Sequence, residues 1–354
     1  TTAATTHRPT TAATTSRPTT TATTSRPTTA ATTSRPATTT TTSRPTAAPT
    51  ATRKPTATAT PTSSASGGSF PVKSYGTFFR DQYGQNSQIT TAASGGLHID
   101  AGSSSYGVVL VRIDTTGIPA SKRCKIIVIA NKASYQYNIS ERGKYIGIPL
   151  QLGNGNYTLS VYEQVEGTSY EPRMVHAFSV SLSSSLRPFT AASIISDFSR
   201  SSSLVSRAGQ LSSGQSSQTD RVTAVYSWIV KNISYDHALA SQFLSSQSQH
   251  NDYLPDPNRT FSSGKGICYD YASLMCAMLR SQGIPTRLIK GSTPLGYHAW
   301  NEVFFEGKGW VVVAGFRWQE STGSVWVMLD STWAASGMSP EKIVSTSHNK
   351  QRIY

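Results

Sequence analysis

Five Arg-Pro dipeptides, Arg8-Pro9, Arg17-Pro18, Arg26-Pro27, Arg35-Pro36 and Arg44-Pro45, recur at a nine-residue period, each after a block of Thr and Ala. The register fades through Pro49, Pro55 and Pro61 into Ser63-Ser64-Ala65-Ser66-Gly67-Gly68. Residues 1–68 contain no aromatic or large aliphatic side chain. They therefore have nothing to bury that would offset the entropy of ordering. Solenoid repeats carry apolar positions that stack on their neighbours, and these units do not. The stretch is read as a disordered Thr/Pro-rich stalk, extended where proline dictates and of a composition typical of O-glycosylation substrates. Whatever folds must fold from residue 69 onward.

Charge divides the same way. The chain carries a formal +14. Seven basic residues (Arg8, Arg17, Arg26, Arg35, Arg44, Arg53 and Lys54) lie in the stalk, which has no acid; the rest holds 25 basic against 18 acidic residues, or +7. One Arg per repeat suits contact with anionic wall polymers or membrane surfaces. Nucleic acid is not an expected partner, because no clustered basic helix or aromatic stacking strand is present. The longest apolar runs, such as Val108-Val109-Leu110-Val111, fall far short of a transmembrane segment. A repetitive stalk in a chain that opens at Thr1 predicts an exported protein, extracellular or at the cell surface, with its signal or anchor upstream.

Three cysteines are too few and too scattered for a disulfide framework. Cys268 and Cys276 share one helical pattern eight residues apart, about 12 Å along the axis, too far to pair. Cys276 and Cys124 read as buried structural residues.

From 69 to 185 the pattern has period two. Strands are predicted at 107–113, 125–130, 145–150, 157–162 and 175–180, with a turn at Gly153-Asn154-Gly155-Asn156. Regular short strands without a helical stretch predict an Ig-like β-sandwich, read as a structural or positioning module. Leu186-Arg187-Pro188 marks a boundary, and 186–354 is read as a second folded domain. A Ser-rich connector, 193–217, leads to a helix over 219–233 with the apolar stripe Val222, Val225, Tyr226, Ile229 and Ile233, capped by Thr219 or Asp220. A polar loop, 244–266, then delivers the chain to Gly264-Lys265-Gly266-Ile267-Cys268.

A helix starts at that cysteine, with Ala272, Met275, Ala277, Met278 and Leu279 as its apolar face and Gly283 as its stop. Cys268 thus falls in the first turn, where unpaired N–H groups and the helix dipole favour a thiolate. The glycines before it permit a sharp turn. Strands follow at 286–291, 297–305, 309–313 and 325–333, with His298 opening one and Asp330 ending another. Cysteine chemistry needs an imidazole partner for sulfur and a third group to orient the ring.

Gly-Lys-Gly-Ile-Cys268-Tyr-Asp-Tyr-Ala, Tyr-His298-Ala-Trp-Asn-Glu-Val and Met-Leu-Asp330-Ser-Thr-Trp resemble, in order and spacing, the three motifs of the transglutaminase-like superfamily, and of its exported bacterial members in particular. Tyr-Ser-Trp-Ile-Val-Lys-Asn-Ile-Ser-Tyr-Asp at 226–236 resembles the helix upstream of them. The resemblance covers about 186–335. It implies an α+β, papain-like cysteine domain behind the sandwich and stalk, with Cys268 as nucleophile, His298 as acid/base and Asp330 as orienting carboxylate. The implied reaction is acyl transfer or hydrolysis on extracellular peptide or protein amides, including wall peptides, through a thioester. The Cys268 N–H is an implied oxyanion donor and Trp228 a candidate second one; Tyr297, Trp300 and Trp333 are candidate pocket residues, with Glu302 beside them. Asp330-Ser331-Thr332 stands where close look-alikes have Asp-Pro-Thr, which leaves the carboxylate in place. No carboxylate cluster like the calcium sites of the animal enzymes is visible, so no metal or cofactor is expected.

Other polar residues have plainer readings. Asp270 is assigned to the helix N-terminus, His176 to structure, and His237, His250 and His348 to solvent. Two alternatives stay open: a catalytically silent binding or assembly module, and an adhesin that binds through the sandwich.

Overall fold

The computed structural model describes residues 67–245 and 253–354. The expectations for the stalk up to residue 66, and for His250, lie outside the described residues.

Eight strands come first: β1 (Ile89–Thr91), β2 (Leu97–Asp100), β3 (Val108–Ile113), β4 (Cys124–Ala130), β5 (Ala133–Ile139), β6 (Tyr145–Pro149), β7 (Gly155–Glu166) and β8 (Ser169–Val180). They form two antiparallel sheets, ordered β1-β2-β3-β6 and β5-β4-β7-β8. Val109, Val111 and Ile113 of one sheet meet Ile126, Val128, Leu159 and Val161 of the other in a shared core. The unbroken apolar run of β3 follows from burial on both faces, because Val108 and Leu110 point outward against Phe78 and Ala191. Cys124 opens β4 and is buried; desolvation pushes its thiol up to about 11.

The second half begins with α1 (Ser203–Ser212), inside the segment expected to be a Ser-rich connector. Leu204 and Ala208, four residues apart, are buried, and Val205 and Leu211 pack against the same core. α2 (Gln218–Asn232) is capped by Ser217, whose Oγ accepts the Asp220 N–H, and not by Thr219 or Asp220. After β9 (Ser234–Tyr235) and α3 (His237–Ser245), the expected loop holds another helix, α4 (Pro257–Ser263). Asp256 caps it by accepting the N–H groups of Asn258 and Arg259, and Gly264 ends it at φ +65°. β10 (Lys265–Gly266) pairs in parallel with β9 and leads into α5 (Cys268–Arg280).

α5 lies on the antiparallel sheet β13-β12-β11-β14, built from β11 (Thr286–Thr293), β12 (Gly296–Val313), β13 (Phe316–Leu329) and β14 (Asn349–Ile353). The short helices α6 (Ser331–Ala335) and α7 (Pro340–Ser345) connect β13 to β14. β12 is one strand where two were expected. Its glycines serve a close approach: Ser69 bridges to Lys308, and a Cβ on Gly307 would stand 2.1 Å from the Ser69 carbonyl oxygen. The last predicted strand likewise ends early, because Asp330 turns the chain into α6.

Every residue of α5 from Tyr269 to Arg280 is buried, so the helix is enclosed and does not have the one apolar face expected. Tyr269, Ala272 and Cys276 share the sandwich core, whereas Leu274, Met275 and Met278 pack with α1 and α2. Cys276 accordingly is a core residue. Arg280, fully buried, donates to three backbone oxygens: Nε to Thr286 (2.8 Å), Nη1 to Ala191 (3.2 Å) and Nη2 to Tyr354 (3.1 Å). It thereby ties Ala191, between β8 and α1, to β11, the residue after β14 and the end of α5. β14 reaches the sandwich as well, through Arg352 to the Ser134 carbonyl (2.7 Å) and the Ile353 N–H to the Tyr135 hydroxyl (3.2 Å). Among the described residues no helix is long and apolar enough to cross a membrane.

Candidate active site

Asp270 sets the turn that carries Cys268. It is 1 % exposed and accepts the Ile267 N–H at 2.9 Å and the Tyr253 hydroxyl at 2.6 Å, with Arg259 at 4.0 Å. Burial raises its pKa, against those hydrogen bonds and the Arg259 charge. This is the helix-terminus duty expected of it. Gly266 fits because a Cβ there would lie 2.5 Å from the Asp270 Cβ. Gly266→Ala must therefore shift Asp270, and is expected to cost about 1–3 kcal/mol by thermal unfolding and to slow Cys268 alkylation. An unchanged midpoint would show that the turn relaxes freely.

Cys268 is half-buried, at the first position of α5, and near enough to His298 on β12 for its sulfur to help hold that ring protonated. The other partner of His298 is Asp330. Nε2 lies 2.7 Å from Asp330 Oδ2, which leaves Nδ1 to face the sulfur. The ring stacks on Trp333, with centroids 4.8 Å apart and planes 13° from parallel. Burial alone would lower the His298 pKa. The hydrogen bonds to Asp330 and Cys268 and the two negative charges outweigh it and push the imidazolium up to about 10.

Asp330 is fully buried and caps α6, its Oδ1 accepting the Trp333 N–H at 2.9 Å. Its backbone oxygen accepts the Tyr226 hydroxyl at 3.1 Å, so α2 fixes the main chain behind the carboxylate. Desolvation raises its pKa, but the contacts with His298, His348 and the Trp333 N–H prevail and hold it below the usual carboxylate range.

His348 overturns its expected solvent exposure. Its side chain is 6 % exposed, with Nε2 3.6 Å from Asp330 Oδ2. Nδ1 lies 2.8 Å from the Thr346 carbonyl and so carries a proton toward it. Its ring packs edge-on to Trp300 at 4.9 Å and against Trp333 at 4.8 Å. Two histidines thus share one carboxylate, held between two indoles. Nothing in the polar run Ser345-Thr346-Ser347-His348-Asn349-Lys350 signals this, because only the pairing of β14 with β11 brings the ring inward.

The remaining candidates divide. Trp333 and Trp300 wall the histidine, at 8 % and 2 % exposure. Tyr297 stands at the mouth, 59 % exposed, and its hydroxyl senses the Cys268 charge, as does that of Tyr235 opposite Gly266. Trp228 is held elsewhere: it stacks on Phe261 at 5.2 Å beneath Arg207, and none of its ring contacts among the described residues is to Cys268, His298 or Asp330. Glu302 is a staple and not a wall of the site, pairing with Arg287 at 3.4 Å and Lys350 at 2.8 Å. His176 stacks on Phe178 in the sandwich, and His237 is exposed. Among the described residues no group of three or more His, Cys, Asp or Glu is arranged to hold a metal ion.

The family model of the transglutaminase-like superfamily matches residues 205–314, a span that includes Cys268 and His298 and stops short of Asp330. No curated protein matches the chain. Similar solved structures include a putative cysteine protease from Cytophaga hutchinsonii, at 17 % identity over 66 % of this chain and 83 % of that one with a TM-score of 0.30. A TGase matches at 18 % identity over 36 % of this chain and 29 % of that one, TM-score 0.25. Red sea bream transglutaminase matches at 11 % identity over 64 % of this chain and 48 % of that one, TM-score 0.26. From within α1 to the end of β12, then, this chain carries a domain of the transglutaminase-like superfamily.

Proposed function

We propose that the protein is a cysteine enzyme that transfers or hydrolyses the acyl group of peptide or protein amides. The observation that carries this reading is the buried His298–Asp330 contact of 2.7 Å, in a ring whose protonated form the Cys268 sulfur also favours. The Cys268 thiolate attacks the amide carbonyl carbon. The C–N bond breaks as the His298 imidazolium gives its proton to the departing nitrogen, and a thioester forms. An amine or water then attacks the thioester, His298 takes its proton, and the thiolate leaves. Asp330 holds the ring with a proton on Nε2 so that Nδ1 serves the sulfur. The Cys268 N–H, at the positive end of α5, is the donor offered to the developing oxyanion.

In this reading the enzyme works outside a bacterial cell, on protein or wall-peptide substrates. The 69–185 sandwich positions the 186–354 catalytic domain, and the basic stalk keeps it near anionic wall polymers.

Alkylation of Cys268 by iodoacetamide at pH 6, compared between the intact chain and His298→Ala, tests the proposal. A fast reaction that falls at least tenfold in the variant is expected. A sluggish thiol indifferent to His298 would leave a silent binding module as the better reading.

A further inference from the structure

β11 brings a second cation to the cysteine from the face of the sheet that does not carry His298. Neighbouring residues of a strand point to opposite faces, and Lys290 pairs with Ala299, so it shares the Tyr297 face. Its ammonium lies 4.1 Å from the Tyr269 ring centroid and 5.7 Å from that of Tyr297. Burial pulls it below the usual lysine range, and the Cys268 thiolate draws it partly back up.

No ion pair joins Lys290 to a carboxylate among the described residues, and its cross-strand neighbour on β14 is another cation, Arg352. The Arg352 guanidinium lies over Tyr135, 5.3 Å from the centroid, and donates to the Ser134 carbonyl. Tyr354 packs on the same Tyr135 ring at 5.3 Å. Like charges facing across a strand pair destabilise a sheet, and ring faces only partly replace a counter-ion. Among the described residues neither cation has a carboxylate partner, so an external anion would supply the missing counter-charge next to the turn that carries Cys268 and Tyr269. Tyr297, exposed, borders Lys290 on the solvent side.

We propose that Lys290, with Arg352 behind it and Tyr297 at its mouth, is a carboxylate-binding subsite that selects acyl donors with an acidic group beside the reactive amide. The inference deepens the proposed function and rests on Cys268 as its nucleophile. The substrate class it names is an acidic peptide.

Two alkylating agents of nearly equal size separate charge recognition from thiol reactivity. In each the thiolate displaces iodide and forms an S–CH2 bond, but iodoacetate is an anion and iodoacetamide is neutral. Rates at Cys268 are compared at pH 7 and low salt for the intact chain, Lys290→Gln and Lys290→Arg. The iodoacetate-to-iodoacetamide ratio is expected to fall about five- to tenfold in Lys290→Gln and to hold in Lys290→Arg. Equal slowing of both reagents would mean that Lys290 only supports the thiolate, and would overturn the subsite. A thiol inert to both reagents would overturn the nucleophile and the subsite with it.

Protection of the intact chain against iodoacetamide identifies the source of the carboxylate and needs no variant. Acetyl-Gly-Gly-Gly as free acid, its C-terminal amide, and acetyl-Gly-Asp-Gly amide are compared. Protection by the free acid alone assigns a chain terminus, and protection by the Asp peptide assigns a side chain. No advantage of either over the neutral amide would overturn the proposal.

Discussion

Asp330→Asn is expected to cut turnover of an amide substrate by about 10³-fold or more while the chain stays folded. The reason is directional. The Trp333 N–H needs an acceptor, so the carboxamide oxygen stays on it and the NH2 turns toward His298 Nε2. Two donors then face each other unless the ring moves its proton to Nδ1, the nitrogen that faces Cys268. The imidazole is then the wrong tautomer to accept a proton there. Stability should report the same loss through pH. A histidine whose pKa rises from 6.5 unfolded to about 10 folded stabilises the fold fully below pH 6.5, and that contribution disappears as pH rises through about 10. Thermal midpoints of the intact chain should therefore decline over that window, and those of Asp330→Asn should decline less. Full activity in the variant, or identical pH profiles, would remove Asp330 from its orienting role.

Arg280→Met should be the most damaging change outside the site, costing about 3–5 kcal/mol, or roughly 6–15 °C in midpoint. Methionine fills much of the volume but donates nothing, so the Thr286, Ala191 and Tyr354 oxygens each lose a charged donor in a buried place. Arg280→Lys keeps the charge without the planar fork and should fall between the two. Differential scanning calorimetry of the three proteins decides it. A methionine variant as stable as the parent would mean that the three oxygens find other partners.

The parts of this protein that were legible in advance are the local ones. A helix opening at Cys268, strands alternating from 108 to 180, and the three motifs around Cys268, His298 and Asp330 all declare themselves within a dozen residues. α1 was hidden because its short apolar face of Leu204, Val205, Ala208 and Leu211 lies within a longer Ser-rich run. α4 was hidden because its start is set by one aspartate at 256 and its end by one glycine at 264. His348 was out of reach for a different reason: its place depends on β14 crossing back to β11, a pairing that joins residues some sixty positions apart. Trp228, named as a possible second oxyanion donor although a tryptophan on an amphipathic helix is more often a packing residue, has its ring against Phe261 and Arg207.

The pairing of β14 also sets an order of events during synthesis. Cys268, His298 and Asp330 leave the ribosome before His348, and before Tyr354 can receive the Arg280 guanidinium. Until then β11 has one bare edge, the second histidine is missing from Asp330, and Arg280 holds a buried charge with one of its three acceptors absent. The thiol is thus made early and its surroundings late. A chain cut before residue 348 would keep Cys268, His298 and Asp330 but lose the second histidine at the carboxylate and the Tyr354 acceptor of Arg280.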